Sequence, residues 1–165
     1  MKKLVIGFAA VKASIPIIVL CAVLAFAGCG GDSGSSDEST ATAKKTKPDV
    51  SVPKGPPPKK LVVKDLEEGS GAAAEAYDVV TVQYVGVNYK TGQEFDSSWS
   101  RGEPFTFNLG TREVIRGWDQ GVTGMKIGGR RELIVPPDLG YGETGTGSIP
   151  PNETLVFVVD LLSIE

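Results

Sequence analysis

Few residues in this chain can do chemistry, and the missing types narrow the field first. There is no histidine. That removes a Ser-His-Asp triad, a Cys-His dyad, a His-ligated metal and a histidine pH switch. Both cysteines, Cys21 and Cys29, lie in the first thirty residues, and a zinc site built from cysteines needs about four ligands. GxSxG, a P-loop and a strand-borne GxGxxG are all absent. Gly140-Tyr141-Gly142 and Gly145-Thr146-Gly147 sit in a late loop with no helix behind them, so they read as turn glycines. Glu67, Glu68, Asp96, Glu113, Asp119 and Asp138 show no spacing that pairs two carboxylates; they read as solvated faces and turn caps. The aromatic set stands out: Tyr84, Phe95, Trp99, Phe105, Phe107, Trp118, Tyr141 and Phe157. Some of these must be core. Phe107 alternates with Phe105 on one strand face and reads as buried. Trp118, on the inward face of a helix, reads as core before it reads as a site. Tyr141 lies between two glycines in a loop, where its hydroxyl can meet a ligand.

The elements that must position these residues follow from patterning. Leu61–Val63 opens a strand, and Glu68–Gly71 is a turn. Asp78–Val87 alternates and is β-branched, so it is a strand. Lys90-Thr91-Gly92 turns the chain and Gln93–Asp96 returns it. Pro104–Leu109 is a further strand. Arg112–Gly121 is the one helical window, with Val114, Ile115, Trp118 and Val122 at helical spacing. Arg131–Val135 is a strand ending at Pro136-Pro137, Asp138–Asn152 is a long Gly/Pro loop, and Thr154–Leu162 is apolar enough for a central strand. Five to six strands with one short helix predict an α+β domain, an antiparallel sheet with the helix across one face.

The N-terminal third reads as an address and a tether. Lys2, Lys3 and Lys12 precede a thirteen-residue apolar run, Ile15–Ala27, suited to a signal peptide and short for a membrane span. The run ends in Ala27-Gly28-Cys29, which resembles a bacterial lipobox, with Phe26 where an aliphatic residue is usual. The lipobox makes residues 1–28 a lipoprotein signal and Cys29 the lipidated N-terminus. The alternative is an ordinary signal cut near Ala27. Residues 29–58 are rich in Gly, Ser and Pro and poor in large apolar side chains. They predict a disordered tether, spanning roughly 30 Å as a coil. Residues 59–165 form the domain. From Leu61 onward there are eight basic and sixteen acidic residues, a net charge of −8. An acidic domain without a basic stripe is a poor nucleic-acid binder.

Four segments, VQYVGVNYKTGQEFDSS, EPFTFNLG, EVIRGWDQGVTGMKIGGRRELIVPPDLGYG and IPPNETLVFVVDLL, run in this order. Together they resemble the FKBP-type peptidyl-prolyl cis-trans isomerases over about residues 60–165. The resemblance implies a half-open antiparallel sheet wrapped on a short helix. It implies a pocket with Trp118 as the floor for a proline ring, and Tyr84, Phe95, Phe105, Val114, Ile115 and Phe157 as apolar walls. It further implies a peptide carbonyl taken by the Ile115 N–H, and Asp96 and Tyr141 as polar rim groups. Arg101 is expected to support Asp96 and Tyr141, and Ile149 to belong to an overhanging loop. That loop, Glu143–Ile149, is about one residue short against familiar members, with Thr146 where some carry an aromatic residue or histidine. Asp96-Ser97-Ser98 is also a good turn in its own right.

The implied activity needs no nucleophile, metal or cofactor. An Xaa-Pro bond rotates over a barrier of about 18–20 kcal/mol because twisting it breaks amide resonance. A dry pocket disfavours the planar, charge-separated amide relative to the twisted one. The expected role is an extracytoplasmic isomerase, at the cell surface or in the periplasm, held to a membrane only by lipid at Cys29. Its expected partners are proline-containing polypeptide clients and macrolide inhibitors, and the expected state is a monomer. The rival is a proline-segment binding module or chaperone with little turnover.

Overall fold

The computed structural model describes residues 45–165, so the predicted signal, Cys29 and the first half of the tether lie outside the described residues. Six strands form one antiparallel sheet: β1 (Val62–Glu67), β2 (Val79–Asn88), β3 (Glu94–Ser97), β4 (Phe105–Asn108), β5 (Arg130–Val135) and β6 (Leu155–Ile164). Their order is β1-β5-β6-β2-β3, with β4 also on β2. β2 is long enough to serve two partners on one edge. Val79–Val82 pair with β4 and Val85–Val87 with β3. The α+β expectation holds, and the apolar C-terminal run is central, between β5 and β2.

Strand alternation sends one set of side chains to each face. On one face Val80, Val82, Tyr84, Leu133, Val135, Leu155, Phe157, Val159 and Leu161 are buried against α2 (Arg116–Val122), which contributes Trp118 and Val122. Burying each such aliphatic side chain stabilises the fold by about 1.5–3 kcal/mol. Close packing of α2 depends on two missing side chains. A Cβ at Gly117 would lie 2.4 Å from Val135 Cγ1, and one at Gly121 2.6 Å from Leu133 Cδ2. Arg131 closes the end of this layer, donating from Nη1 to the carbonyls of Gly121 and Thr123 while pairing with Asp65.

The helical window is shorter than expected, starting at Arg116 rather than Arg112. Asp119 explains the delay: its carboxylate accepts the N–H of Gly110 and of Arg112, holding the preceding loop in a non-helical path. A second helix, α1 (Ser98–Arg101), is too short to leave a periodic signal. The Ser97 hydroxyl caps it by accepting the Ser100 N–H. Within the long late loop, Pro137–Leu139 form a 3-10 turn.

Residues 45–52, within the predicted tether, lie against the sheet. Val85, Val87, Tyr89, Ile134 and Val156 form a second apolar cluster on the sheet face opposite α2, and Val50 and Val52 pack onto it together with Trp99. Lys45 pairs with Glu67 of β1 and Asp160 of β6, and Lys47 with Glu94 of β3. Arg130 Nη2 donates to the Thr46 carbonyl at 2.8 Å. Two valines are too few to make a core of their own. Laid on a sheet face that already exists, they need only order themselves, a gain that composition alone does not register.

Candidate active site

Between α2, β2–β4 and the late loop lies a cleft of about 800 Å³. Its floor is aromatic. The Trp118 ring is edge-on to Tyr84 at 4.9 Å, to Phe157 at 5.3 Å and to Phe105 at 6.2 Å between centroids. Phe107 braces it from within the core at 5.6 Å. Phe95 stands edge-on to Phe157 at 5.6 Å. These contacts rest on Gly86 of β2, where a Cβ would come within 2.7 Å of the Phe95 ring and 2.9 Å of the Phe157 ring. Val114 and Ile115, on the loop entering α2, complete the apolar wall. Ile115 is the extended N-cap of α2, so its backbone sits at the cleft edge.

One corner is polar. The Tyr84 hydroxyl donates to Asp96 Oδ2 at 2.5 Å. Arg101 reaches the same pair, with Nη1 on Asp96 Oδ1 and Nη2 at 3.0 Å from the Tyr84 oxygen. The Arg101 guanidinium also lies 5.4 Å from the Tyr84 ring centroid. β3 presents Asp96, and α1 carries Arg101 back towards it. The buried Ser98 hydroxyl ties α1 to β2 by accepting the Tyr84 N–H at 2.8 Å and bonding Gln83. Burial, then the hydrogen bond to Asp96, push the Tyr84 hydroxyl well above its ordinary pKa. Tyr141, half-buried across the cleft, is raised by burial and then by the Asp96 charge. Both hydroxyls are therefore held as neutral donors.

Most of the residues singled out in the sequence meet here: Tyr84, Phe95, Asp96, Phe105, Val114, Ile115, Trp118, Tyr141 and Phe157 all line the cleft. Three further placements bear on the expected roles. Arg101 supports Asp96 and Tyr84, not Tyr141. Tyr84 is more than an apolar wall, since its hydroxyl belongs to the polar corner. Ile149 is buried in the core and absent from the lining, its backbone bridged to Thr146. From the same loop, Gly142–Thr146 line the cleft. Charged rim residues Arg112, Glu113, Arg116, Asp138 and Glu143 also line the cleft, unsignalled by any periodicity. Of these, Arg116 donates from its guanidinium to the Asp138 carbonyl and so ties α2 to the turn that leads to Tyr141.

Among the described residues no group of three or more Asp, Glu, Cys or His is placed to hold a metal, and no helix is long and apolar enough to cross a membrane. Comparison with known proteins agrees with the geometry. Residues 71–162 match the family model described as FKBP-type peptidyl-prolyl cis-trans isomerase. The FK506-binding protein of Streptomyces anulatus is 56% identical over 120 residues, which are 72% of this chain and 97% of that one. A probable FK506-binding protein of Corynebacterium glutamicum is 48% identical over 117 residues, 71% of this chain and 98% of that one. Among solved structures, AtFKBP13 superposes with a TM-score of 0.61 at 37% identity, covering 66% of this chain and 96% of that one. The chain belongs to the FKBP-type peptidyl-prolyl cis-trans isomerase family.

Proposed function

We propose that the cleft binds Xaa-Pro segments of exported polypeptides and accelerates their cis-trans rotation, with the protein held outside the cytoplasm, as a monomer, by lipid at Cys29. The observation that carries this reading is Trp118, set at the floor of the cleft with three aromatic rings edge-on to it. A proline ring is compact, apolar and lacks an N–H, so such a floor holds it without leaving a donor unpaired. The carbonyl preceding the proline must swing through about 180° during isomerisation. Phe95, Asp96 and Tyr141 line the cleft in which that swing takes place. The Ile115 N–H takes the carbonyl on the other side of the proline and fixes the frame against which rotation occurs.

Rotation towards the midpoint costs amide resonance and reduces charge separation on the bond. Apolar walls therefore favour the twisted amide over the planar one, relative to water. No proton need leave the substrate, which suits a cleft whose hydroxyls are held neutral. The signal-like N-terminus and Cys29 support the exported, lipid-anchored reading. The relatives named for FK506 binding extend the proposed ligands to macrolides of that class.

The test follows cis-to-trans relaxation of a short peptide with one Xaa-Pro bond, a process of roughly tens to hundreds of seconds unaided. Catalysis by the full chain that is blocked by FK506 supports the reading. A folded chain that binds the peptide with no acceleration refutes it in favour of a binding module.

A further inference from the structure

The stretch leading into the domain does more than connect. At residues 48–52, half-buried and exposed positions alternate, with Pro48, Val50 and Val52 facing the sheet. The stretch takes no backbone hydrogen bond from a neighbouring strand; side chains hold it. At one end Lys45 lies 2.8 Å from Glu67 and 3.6 Å from the buried Asp160. At the other end it meets β3 and α1. Lys47 Nζ is 2.8 Å from Glu94 Oε2 and 3.0 Å from the Ser100 hydroxyl, which itself donates to Glu94. Val50 and Val52 pack with Trp99 in the outer cluster.

Glu94, Trp99 and Ser100 share one short segment with Asp96 and Arg101. Ser98 pins that segment to β2 from within. Its outer side is held by the stretch 45–52. Two side chains of the polar corner, Asp96 and Arg101, therefore sit on a short turn clamped between β2 and the incoming chain.

Resting on the isomerase reading above, we propose that Lys47, with Val50 and Val52 beside Trp99, is a positioning device that holds the β3–α1 turn so that Asp96 and Arg101 meet Tyr84 at the cleft. The incoming chain is thus part of the catalytic unit, and a domain cut at residue 54 or 59 lacks one wall of its support.

The experiment uses the full chain and four variants: Lys47→Met, Lys47→Met with Val50→Ser and Val52→Ser, Lys45→Met, and the exchange Lys47→Glu/Glu94→Lys. Each is assayed for kcat and KM on an Xaa-Pro peptide well below its Tm, and for amide hydrogen exchange at residues 94–101. Exposed ion pairs are weak and small displacements in a site are costly. Lys47→Met should therefore lower kcat about three-fold, and the triple variant about ten-fold, with KM nearly unchanged and exchange at 94–101 faster. The exchange of charges should recover most of kcat. Lys45→Met frees the far end of the stretch only, so it should lower Tm and leave kcat alone. Equal loss of kcat in the Lys45 and Lys47 variants would reduce the stretch to general stabilisation and overturn the proposal. So would wild-type kcat and exchange in the triple variant. A wild type without turnover would sink the isomerase reading itself, and hydrogen exchange at 94–101 would still decide whether the clamp holds the turn.

Discussion

Gly117 is the place where helix preference and packing oppose each other most directly. In an isolated helix, alanine for glycine is favourable by about 1 kcal/mol. Here the added Cβ would meet Val135 Cγ1 at 2.4 Å, Cγ2 at 2.8 Å and Cβ at 3.2 Å. Val135 is fully buried in β5 and its β-branched side chain has few rotamers to yield into. Overpacking a core of this kind costs roughly 1–3 kcal/mol. With two contacts under 3.0 Å the upper part of that range, about 2–3 kcal/mol, applies. Packing therefore outweighs propensity, and Gly117→Ala should destabilise the domain by about 1–2 kcal/mol net. For a domain of this size each kcal/mol lowers Tm by roughly 4–8 °C, so the fall should be about 4–16 °C. Calorimetry or urea titration reads it directly. Restoring space with Gly117→Ala/Val135→Ala should relieve the clash while adding the cost of a truncated core side chain, and a double-mutant cycle should show a favourable coupling of about 1 kcal/mol or more. Gly121→Ala should cost less, because its nearest neighbours are the terminal methyl groups of Leu133. Since α2 carries Trp118, Gly117→Ala should also lower kcat/KM more than its stability loss accounts for. A Gly117→Ala chain more stable than wild type would refute the packing argument outright.

Three further outcomes rest on the same geometry. Burial, then Asp96, raise the Tyr84 hydroxyl, so the folded chain keeps a proton above about pH 10 that the unfolded chain releases. Stability should fall as pH rises past about 10, by about 1.4 kcal/mol per pH unit for each such proton. Tyr84→Phe should make that alkaline slope shallower in denaturant titrations; an unchanged slope would remove Tyr84 as its source. On the acid side, the hydrogen bond and charge of Lys45 lower the Glu67 carboxyl below its ordinary value. The small stability it contributes is present above that ordinary value and lost as pH falls through the lowered one. Glu67→Gln should therefore flatten the acid limb slightly, and salt should have less effect on the variant than on wild type. Arg116→Met should loosen the turn leading to Tyr141 by removing its bond to the Asp138 carbonyl. Peptide KM should rise several-fold with Tm little changed, and an unchanged KM would make that bond incidental.

Much of this molecule is legible in its amino-acid order, and the reasons are physical. Alternation in Val79–Val87 and the apolar run at Leu155–Leu161 report a two-faced and a buried strand, and both form as read. Trp118 is ambiguous from spacing because a core residue and a pocket floor obey the same helical period. In the fold it is both, buried from below and lining the cleft above. The polar corner is only half legible. No periodicity links Tyr84 on β2 to Arg101 on a four-residue helix, and only the β2–β3 register brings them together. The burial of Ile149 beside the cleft is not legible in sequence, because loop geometry, including the Thr146–Ile149 bridge, leaves no trace in hydropathy. The packing of the stretch 45–52 leaves no sequence signal for a related reason. Its two valines and two lysines acquire meaning only against the finished outer face of the sheet, whose residues lie as far along the chain as Val156 and Asp160.

The central claim is that turnover comes from an aromatic floor that holds proline while its amide twists, without acid, base or metal. The decisive measurement is cis-to-trans relaxation of an Xaa-Pro peptide by wild type and Trp118→Ala, with peptide binding and Tm recorded on the same samples. The account predicts a loss of kcat/KM of about ten-fold or more in a variant that remains folded at the assay temperature. Undiminished turnover by folded Trp118→Ala would contradict it.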